Sequence, residues 1–152
     1  MEPLKLGIKE LLEFQRNRPP YLMVDYAEVI PGESAKGYKD LPLNTWFFDC
    51  HFPGDPNMPG MLQVEALVQL CALTLFTLTG NKGEIAYLTT AKQLRWRRKV
   101  VPDDRFEMDT KLHNLKRGIA ICSGIATVKG EIACEAEFSL ALPHVLASYK
   151  VA

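Results

Sequence analysis

Apolar and polar positions along the chain follow two different periods, and the change comes near Glu84. Before it, the stretch from about Pro59 to Thr79 is apolar on nearly every side of a helical turn, which predicts one long helix. Beyond it, apolar and polar residues alternate, which predicts strands separated by the turns VVPDD, KRG and VKG. We expect four such strands, in the segments IAYLTTAKQLRWRRKV, RFEMDTKLHNLKR, GIAICSGIATVKG and EIACEAEFSLAL.

Shorter elements are predicted before the long helix. Leu4, Ile8, Leu11 and Leu12 follow helical spacing and indicate a short amphipathic helix that RNRPP ends. YLMVDYAEVI and AKGYKDLP then read as two strands around the turn PGES. The last predicted strand should turn one row of residues toward the core: Ile132, Cys134, Ala136, Phe138 and Leu140. The expected fold is α+β, an antiparallel sheet of about five or six strands around one long helix.

The long helix has no wholly polar face, because apolar residues from Met61 to Leu78 occur on all its sides. A helix of this kind is buried all round or crosses a membrane. Gln63, Glu65, Gln69 and three threonines argue against a crossing, since a span needs about 20 apolar residues with few polar ones. One sheet of this size does not cover every side of a helix. We therefore expect a second subunit to cover the rest.

Composition narrows the classes of function. The chain has 152 residues, an apolar fraction of 47%, and 18 basic against 18 acidic residues. Residues 1–152 are expected to form one domain, and the charge balance gives no general attraction to nucleic acid or membrane surfaces. The N-terminus lacks the uninterrupted apolar core of a signal peptide. The cysteines show no C-x-x-C spacing and suit the reducing cytoplasm: Cys50, Cys71, Cys122 and Cys134.

Glu65 and His51 are the main candidates for chemistry. Glu65 lies about two turns into the apolar helix, where burial would raise its pKa and let it donate a proton near neutral pH. The alternative is that Glu65 and Gln69, four residues later, form a solvated stripe. His51 opens the loop HFPGDPNMPG, which leads directly into the helix. A lone histidine is more often structural, but rigid loops rich in Pro and Gly often carry functional residues.

Other polar groups carry weaker signals. A basic run in the first strand after the helix could bind an acidic partner or form a solvated face: Arg95, Arg97, Arg98 and Lys99. Trp96 within this run could instead point toward the helix. Asp49, Cys50, His51 and Asp55 do not match a standard metal-ligand spacing, so no metal site is predicted. We assign no role to the remaining histidines, which are expected to stand without acidic or cysteine partners: His113 and His144.

The segment from His51 to Gln69 resembles the active-site segment of the 3-hydroxyacyl-acyl-carrier-protein dehydratases, hotdog-fold enzymes of fatty acid synthesis. The matching residues, in order, are His51, Phe52, Pro53, Gly54, Pro56, Met58, Pro59, Gly60, Glu65, Ala66 and Gln69. The resemblance covers most of the chain. WRRKVVPDDRFEM is similar to the family pattern F-R-x-P-V-x-P-G-D, and RGIAICSGIATVKGEIACEAEFSLAL is similar to the closing strands.

The resemblance implies a hotdog dimer with active sites at the subunit interface. It assigns His51 as general base and Glu65 of the partner subunit as general acid. It also implies that the N–H of Gly60 polarises the thioester carbonyl, that Gln69 helps to orient it, and that Phe52 and Pro59 lie at the substrate. The substrate would be held on the phosphopantetheine of acyl-carrier protein, with no further cofactor. An apolar tunnel beside the helix would take the acyl chain, and the basic run would dock the carrier.

Some residues depart from the common pattern and leave alternatives open. Trp46, Cys50 and the run Gly54–Asp55–Pro56 look like the branch that also isomerises the 2-trans product to 3-cis, whereas Pro53 and Glu65 look like the dehydratase-only branch. Further differences lie outside the expected chemistry: Asn17 replaces a histidine, Lys99 a proline and Asp103 a glycine. Plain dehydration is favoured. Isomerisation, a hotdog acyl thioesterase and a non-catalytic acyl-binding scaffold remain alternatives, and dimers could pair into tetramers or hexamers.

Overall fold

A computed structural model of the chain describes residues 2–149. The helices are α1 (Ile8–Phe14), α2 (Gly60–Phe76) and α3 (Pro143–Leu146), followed by a short 3-10 turn, Ala147–Tyr149. The strands are β1 (Leu4–Leu6), β2 (Tyr26–Ile30), β3 (Ser34–Asp40), β4 (Tyr87–Trp96), β5 (Arg105–Lys116), β6 (Ile119–Val128) and β7 (Glu131–Ala141). All seven strands form one sheet in the order β1-β2-β3-β5-β6-β7-β4, and every neighbouring pair is antiparallel.

The central helix α2 packs against strands β2 to β7. From Gln63 to Phe76 every residue is buried except Glu65, which is half-buried. The predicted α+β fold, an antiparallel sheet around a long central helix, is confirmed. Such burial explains why a sequence with so little amphipathic pattern forms a helix, since its sides face the sheet and the loops rather than water.

The two ends of α2 are bounded in different ways. Pro59 is the N-cap, with extended backbone (φ −54°, ψ 135°), so the helix begins one residue later than predicted. Asn81 closes the other end, because its Nδ2 donates to the carbonyl oxygen of Leu75 at 3.0 Å. The helix therefore stops at Phe76, three residues before the predicted end at Thr79. A side-chain cap of this kind is not visible in the helical periodicity.

Four further expectations were wrong, those for Leu4, the number of strands, Ile132 and Met61. Leu4 lies in strand β1, which pairs with β2, and α1 starts only after Gly7, whose N–H bonds the Glu10 carboxylate at 3.0 Å. Strand pairing at the sheet edge replaces the predicted helical turn, and β1 makes seven strands instead of five or six. Ile132 is 39% exposed and Met61 is 60% exposed. Both lie at the ends of their elements, where the core no longer covers them.

Strand β4 forms one edge of the sheet and is exposed or half-buried along its whole length. Its register against β7 shifts between Lys92 and Arg95, next to Gln93 with φ 53°. This irregularity turns the last residues of β4 toward the start of α2. Trp96 and the β4–β5 connection, residues 97–104, are thereby placed beside the histidine loop.

Candidate active site

His51 is fixed by the loop that follows it. Its Nδ1 lies 2.9 Å from the carbonyl oxygen of Asn57, and the N–H of Asn57 donates back to the His51 carbonyl at 2.9 Å. A carbonyl oxygen accepts only, so Nδ1 carries the hydrogen. In the neutral ring Nε2 is therefore unprotonated. This is the tautomer that a general base requires.

The loop between His51 and α2 is held by bonds to itself and to a neighbouring segment. Phe52 and Asp55 exchange two backbone hydrogen bonds of 2.8 Å, across Gly54 with φ +79°. Only glycine adopts that angle without strain. The Met58 N–H donates to the Val100 carbonyl at 2.8 Å, which ties the loop to the β4–β5 connection. The imidazole of His51 is thus held by a constrained backbone, and the half-exposed Phe52 ring is tilted by 31° against it, with the ring centroids 3.9 Å apart.

Glu65 is the half-buried carboxylate on α2. Gln69 Nε2 donates to Glu65 Oε1 at 3.0 Å, so the predicted i, i+4 neighbours are in contact. Burial raises the pKa of the Glu65 carboxyl, and the hydrogen bond from Gln69 lowers that pKa by a smaller amount. The pKa of Tyr21 is also raised, first by burial and then by the charge of Glu65. The half-buried carboxyl with a raised pKa favours the proton-donor interpretation over a solvated stripe.

Gln69 joins Glu65 to the segment before β2. Its Nε2 also donates to the Tyr21 carbonyl at 2.9 Å, and its Oε1 accepts the Met23 N–H at 2.7 Å. These three bonds fix the amide orientation, because the oxygen faces a donor and the nitrogen faces two acceptors. Gln69 is itself 4% exposed. The Glu65 carboxyl is therefore hydrogen-bonded to a buried amide, that of Gln69, whose orientation is fixed.

Gly60 and Trp96 are in contact, so Trp96 points toward the helix, which is one of the two orientations considered for it from the sequence. Indole Nε1 of Trp96 donates to the Gly60 carbonyl oxygen at 2.9 Å. A Cβ atom at Gly60 would lie 2.8 Å from Cε2 and Nε1 of that ring. Glycine is thus required here by the approach of a ring. Pro59, the other predicted substrate residue at this point, supplies the N-cap backbone and no side-chain cap.

A cavity of about 280 Å³ lies beside Glu65 and runs along one face of α2. Helix α2 lines the cavity with residues three or four positions apart, which lie on one face of the helix: Glu65, Val68, Gln69, Ala72 and Phe76. The opposite walls carry polar and charged groups together with apolar ones: Gln15, Arg16, Asn17, Glu84, Ile85, Ala86 and Tyr87. The cavity is therefore of mixed polarity, whereas the tunnel expected beside the helix was apolar. His51 is not among the lining residues, and its hydrogen bond goes to Asn57 within its own loop.

The basic run is largely engaged in ion pairs within the chain. Arg97 contacts Glu135 at 2.7 Å, Arg98 contacts Glu131 at 2.9 Å, and Lys99 contacts Asp55 at 3.1 Å. These pairs are partly exposed and contribute little to stability. Arg95 is exposed and has no ion pair among residues 2–149. Of the four predicted docking residues, Arg95 has the charge most available to a partner.

The remaining histidines differ in their surroundings. His113 bonds the Ser123 hydroxyl at 2.6 Å on the outer sheet face. His144 was expected to have no acidic partner, which is wrong, because its Nδ1 lies 3.8 Å from a Glu84 carboxylate oxygen. Its Nε2 contacts Asn81 Oδ1 at 2.8 Å. Helix α3 thus lies beside the loop that follows α2, a long-range contact that cannot be predicted from spacing in the sequence.

The cysteines and possible metal ligands add no further site. Three thiols are buried, Cys50 is exposed, and all four are free. Within residues 2–149 no group of three or more His, Cys, Asp or Glu side chains is placed to hold a metal ion. In the same part of the chain, none of the helices combines the length and apolar character that a membrane crossing requires.

Comparisons with solved structures support the fold. The chain superposes on a chain of the dehydratase heterocomplex ApeI:P from Xenorhabdus doucetiae with a TM-score of 0.76 at 9% identity, covering 92% of this chain and 97% of the other. It superposes on PH1136 from Pyrococcus horikoshii with a TM-score of 0.65 at 13% identity, covering 86% and 91%. At such low identities the similarity concerns the fold alone.

Comparisons with curated proteins give the family. The chain is 44% identical to a 3-hydroxyacyl-[acyl-carrier-protein] dehydratase FabZ of Clostridium novyi over 140 residues, which is 91% of this chain and 99% of that protein. It is 39% identical to the FabZ of Roseiflexus castenholzii, covering 92% of this chain and 98% of the other. A family model described as a FabA-like domain matches residues 17–137. That match covers β2 to β6, α2 and most of β7, so the chain belongs to the FabA-like family.

Proposed function

We propose that this protein dehydrates 3-hydroxyacyl thioesters carried on acyl-carrier protein to 2-trans-enoyl thioesters, in fatty acid or related lipid biosynthesis. The curated relatives carry that activity in their names. The observation that supports it most directly is the pair of opposite proton carriers. In the neutral His51 ring Nε2 carries no hydrogen, and Glu65 has a raised pKa. Dehydration needs one group to take a proton and another to give one.

Each group suits one half of the reaction. His51 Nε2 would remove the C2 proton, because an unprotonated imidazole nitrogen can accept one. Protonated Glu65 would give its proton to the C3 hydroxyl, so water leaves instead of hydroxide. Negative charge develops on the thioester oxygen as the C2 proton leaves. The start of α2, at Gly60, would stabilise that charge through free N–H groups and the positive end of the helix dipole.

We propose that the two proton carriers come from different chains of a homodimer. Within one chain, His51 bonds to its own loop, and the cavity beside Glu65 is lined without it. Among residues 2–149, strand β4 has no strand partner on its outer side, and this exposed sheet edge includes Tyr87 at 59% and Leu88 at 43% exposure. The backbone N–H and C=O groups of such an edge can form hydrogen bonds with a strand of another chain. A second copy would cover β4 and bring a histidine loop to the Glu65 cavity.

Acyl-carrier protein is the proposed macromolecular partner, and the cytoplasm is the proposed compartment. Carrier proteins are acidic, and Arg95 offers a guanidinium that is free of ion pairs in residues 2–149. Free thiols at all four cysteines suit a reducing compartment. The balance of 18 basic and 18 acidic residues favours a local docking patch over binding by net charge.

A single assay tests the proposal. Purified protein is incubated with a 3-hydroxyacyl-carrier substrate, while 2-trans-enoyl, 3-cis-enoyl and free thiol products are followed together. Dehydration predicts the 2-trans product, lost in His51→Ala and Glu65→Gln variants that remain folded. Thiol release as the main product would indicate a thioesterase and contradict the proposal. Carrier binding without any turnover would indicate a scaffold and contradict it equally.

A further inference from the structure

The start of α2 has backbone N–H groups without acceptors in the described part of the chain, and the Trp96 ring lies against its first residue. Neither the N–H of Gly60 nor that of Met61 has an acceptor among residues 2–149, and the first turn contains no acidic residue. Trp96 lies against this turn, with its Nε1 on the Gly60 carbonyl at 2.9 Å. The indole thus contacts the peptide group that carries the Met61 N–H, next to the Gly60 N–H expected to face the substrate.

Trp96 is held in place by the backbone on both sides of it. As the last residue of β4 it pairs with Cys134, and the next N–H, of Arg97, donates to the Ala133 carbonyl at 2.9 Å. Its ring cannot move toward the helix, because Gly60 already leaves no space for a Cβ atom between them. The side chain is nevertheless 43% exposed. One side of the indole therefore fixes the helix start while the rest remains open beside it.

We propose that Trp96 is a positioning residue for the thioester, which it serves by fixing the first peptide group of α2. This inference rests on the proposed function, because it assumes that the helix start receives the thioester oxygen. Donation to the Gly60 carbonyl polarises the Gly60–Met61 peptide, which strengthens the Met61 N–H as a donor beside that of Gly60. It also prevents that peptide from rotating. Orientation matters most where charge develops, so the effect belongs to the transition state more than to substrate binding.

The test replaces the indole N–H and keeps a ring. Trp96→Phe should lower kcat about three- to tenfold, the value of one hydrogen bond, with KM little changed. Trp46→Phe is the matched control. Trp46 is 46% exposed and its Nε1 also donates to a backbone carbonyl, that of Pro20 at 3.2 Å, but this carbonyl lies outside the helix start. The control should keep the wild-type kcat.

A second pair of variants tests the steric half of the inference. Gly60→Ala should reduce kcat more strongly than Trp96→Phe, because the new methyl meets the indole. Adding Trp96→Ala to Gly60→Ala removes that collision and should restore part of the lost stability without restoring kcat. A kcat that returns to the wild-type value in the double variant would overturn the positioning role.

The outcomes separate this inference from the proposed function. Turnover by the wild type with equal kcat in Trp96→Phe would overturn the inference and leave the function standing. Absence of wild-type turnover would overturn the function. In that case the infrared carbonyl stretch of a bound enoyl thioester decides the inference. The inference is supported if binding lowers the carbonyl stretching frequency in the wild type and lowers it less in Trp96→Phe. Equal frequencies in the two proteins would overturn the inference.

Discussion

Replacing Gln69 by methionine tests how much the site depends on one buried amide. The change keeps the length of the side chain but removes the bonds to Glu65, Tyr21 and Met23. Met23 is 1% exposed, so its N–H would be left buried without a partner, at a cost of about 1–3 kcal/mol. With about 1 kcal/mol for the other two bonds, we expect a loss of roughly 2–4 kcal/mol in the free energy of unfolding.

The measurement is urea unfolding and thermal melting at a fixed protein concentration. For a chain of this size the loss corresponds to a decrease in Tm of about 5–15 °C. Gln63→Met is the matched control, since Gln63 is as buried but makes one bond, to the Met58 carbonyl at 3.1 Å, and leaves its own Oε1 unpartnered within residues 2–149. Its cost should stay below about 1 kcal/mol. Equal losses in the two variants would refute the assigned role of Gln69.

The same variant should change the pH dependence of dehydration. Gln69 lowers the pKa of Glu65, so its removal raises that pKa further. Glu65 must be protonated to act as the acid, and activity falls as pH rises through its pKa. The high-pH limb of the kcat profile should therefore move to higher pH in Gln69→Met. A shift to lower pH would contradict the assignment of Glu65 as proton donor.

Three further predictions concern stability, docking and the acyl cavity. Burial raises the folded-state pKa of Glu65, so the charged carboxylate destabilises the fold as pH rises above the ordinary carboxyl range. Glu65→Gln should therefore raise Tm at neutral pH. This gain in Tm should vanish in acid, where Glu65 is protonated. An unchanged Tm at neutral pH would count against the buried carboxylate. Arg95→Glu should raise KM for the carrier-bound substrate but not for a pantetheine thioester. Arg97→Gln should raise KM for the carrier-bound substrate less, because Arg97 is already paired with Glu135. Equal effects on both substrates would exclude carrier docking at Arg95. Ala72→Leu narrows the cavity along α2 and should reduce kcat/KM for 3-hydroxypalmitoyl about tenfold, the value of about two excluded methylenes, but not for 3-hydroxybutyryl. A uniform reduction would place the acyl chain elsewhere.

The sequence was most informative where one physical requirement dominates. Apolar residues on every side of the helix from Met61 to Phe76 indicated either a buried helix or a membrane span, and the polar residues among them decided between the two. Strands β5 to β7 also followed from alternation, because each has one face on the core. At β1 the prediction failed. Leu4 suits a helical turn and a strand equally well, and pairing with Val29 of β2 decides between them.

The site was predictable in its residues but not in its contacts. Sequence spacing brought Glu65 and Gln69 together, since positions i and i+4 share a helix face. It could not show that Gln69 is anchored by the backbone of Tyr21 and Met23, more than forty residues earlier. The Trp96–Gly60 contact depends on a strand irregularity that turns β4 toward the helix. Long-range contacts of this kind require the tertiary structure.

A mixed-dimer experiment tests most directly whether one site is built from two chains. His51→Ala and Glu65→Gln chains, each inactive alone, are unfolded together in equal amounts and refolded. Half of the dimers should then be mixed. In each mixed dimer one site would combine the intact His51 of one protomer with the intact Glu65 of the other, giving about a quarter of the wild-type activity. Activity no higher than that of the separate variants would contradict a shared site and place both groups in the same chain.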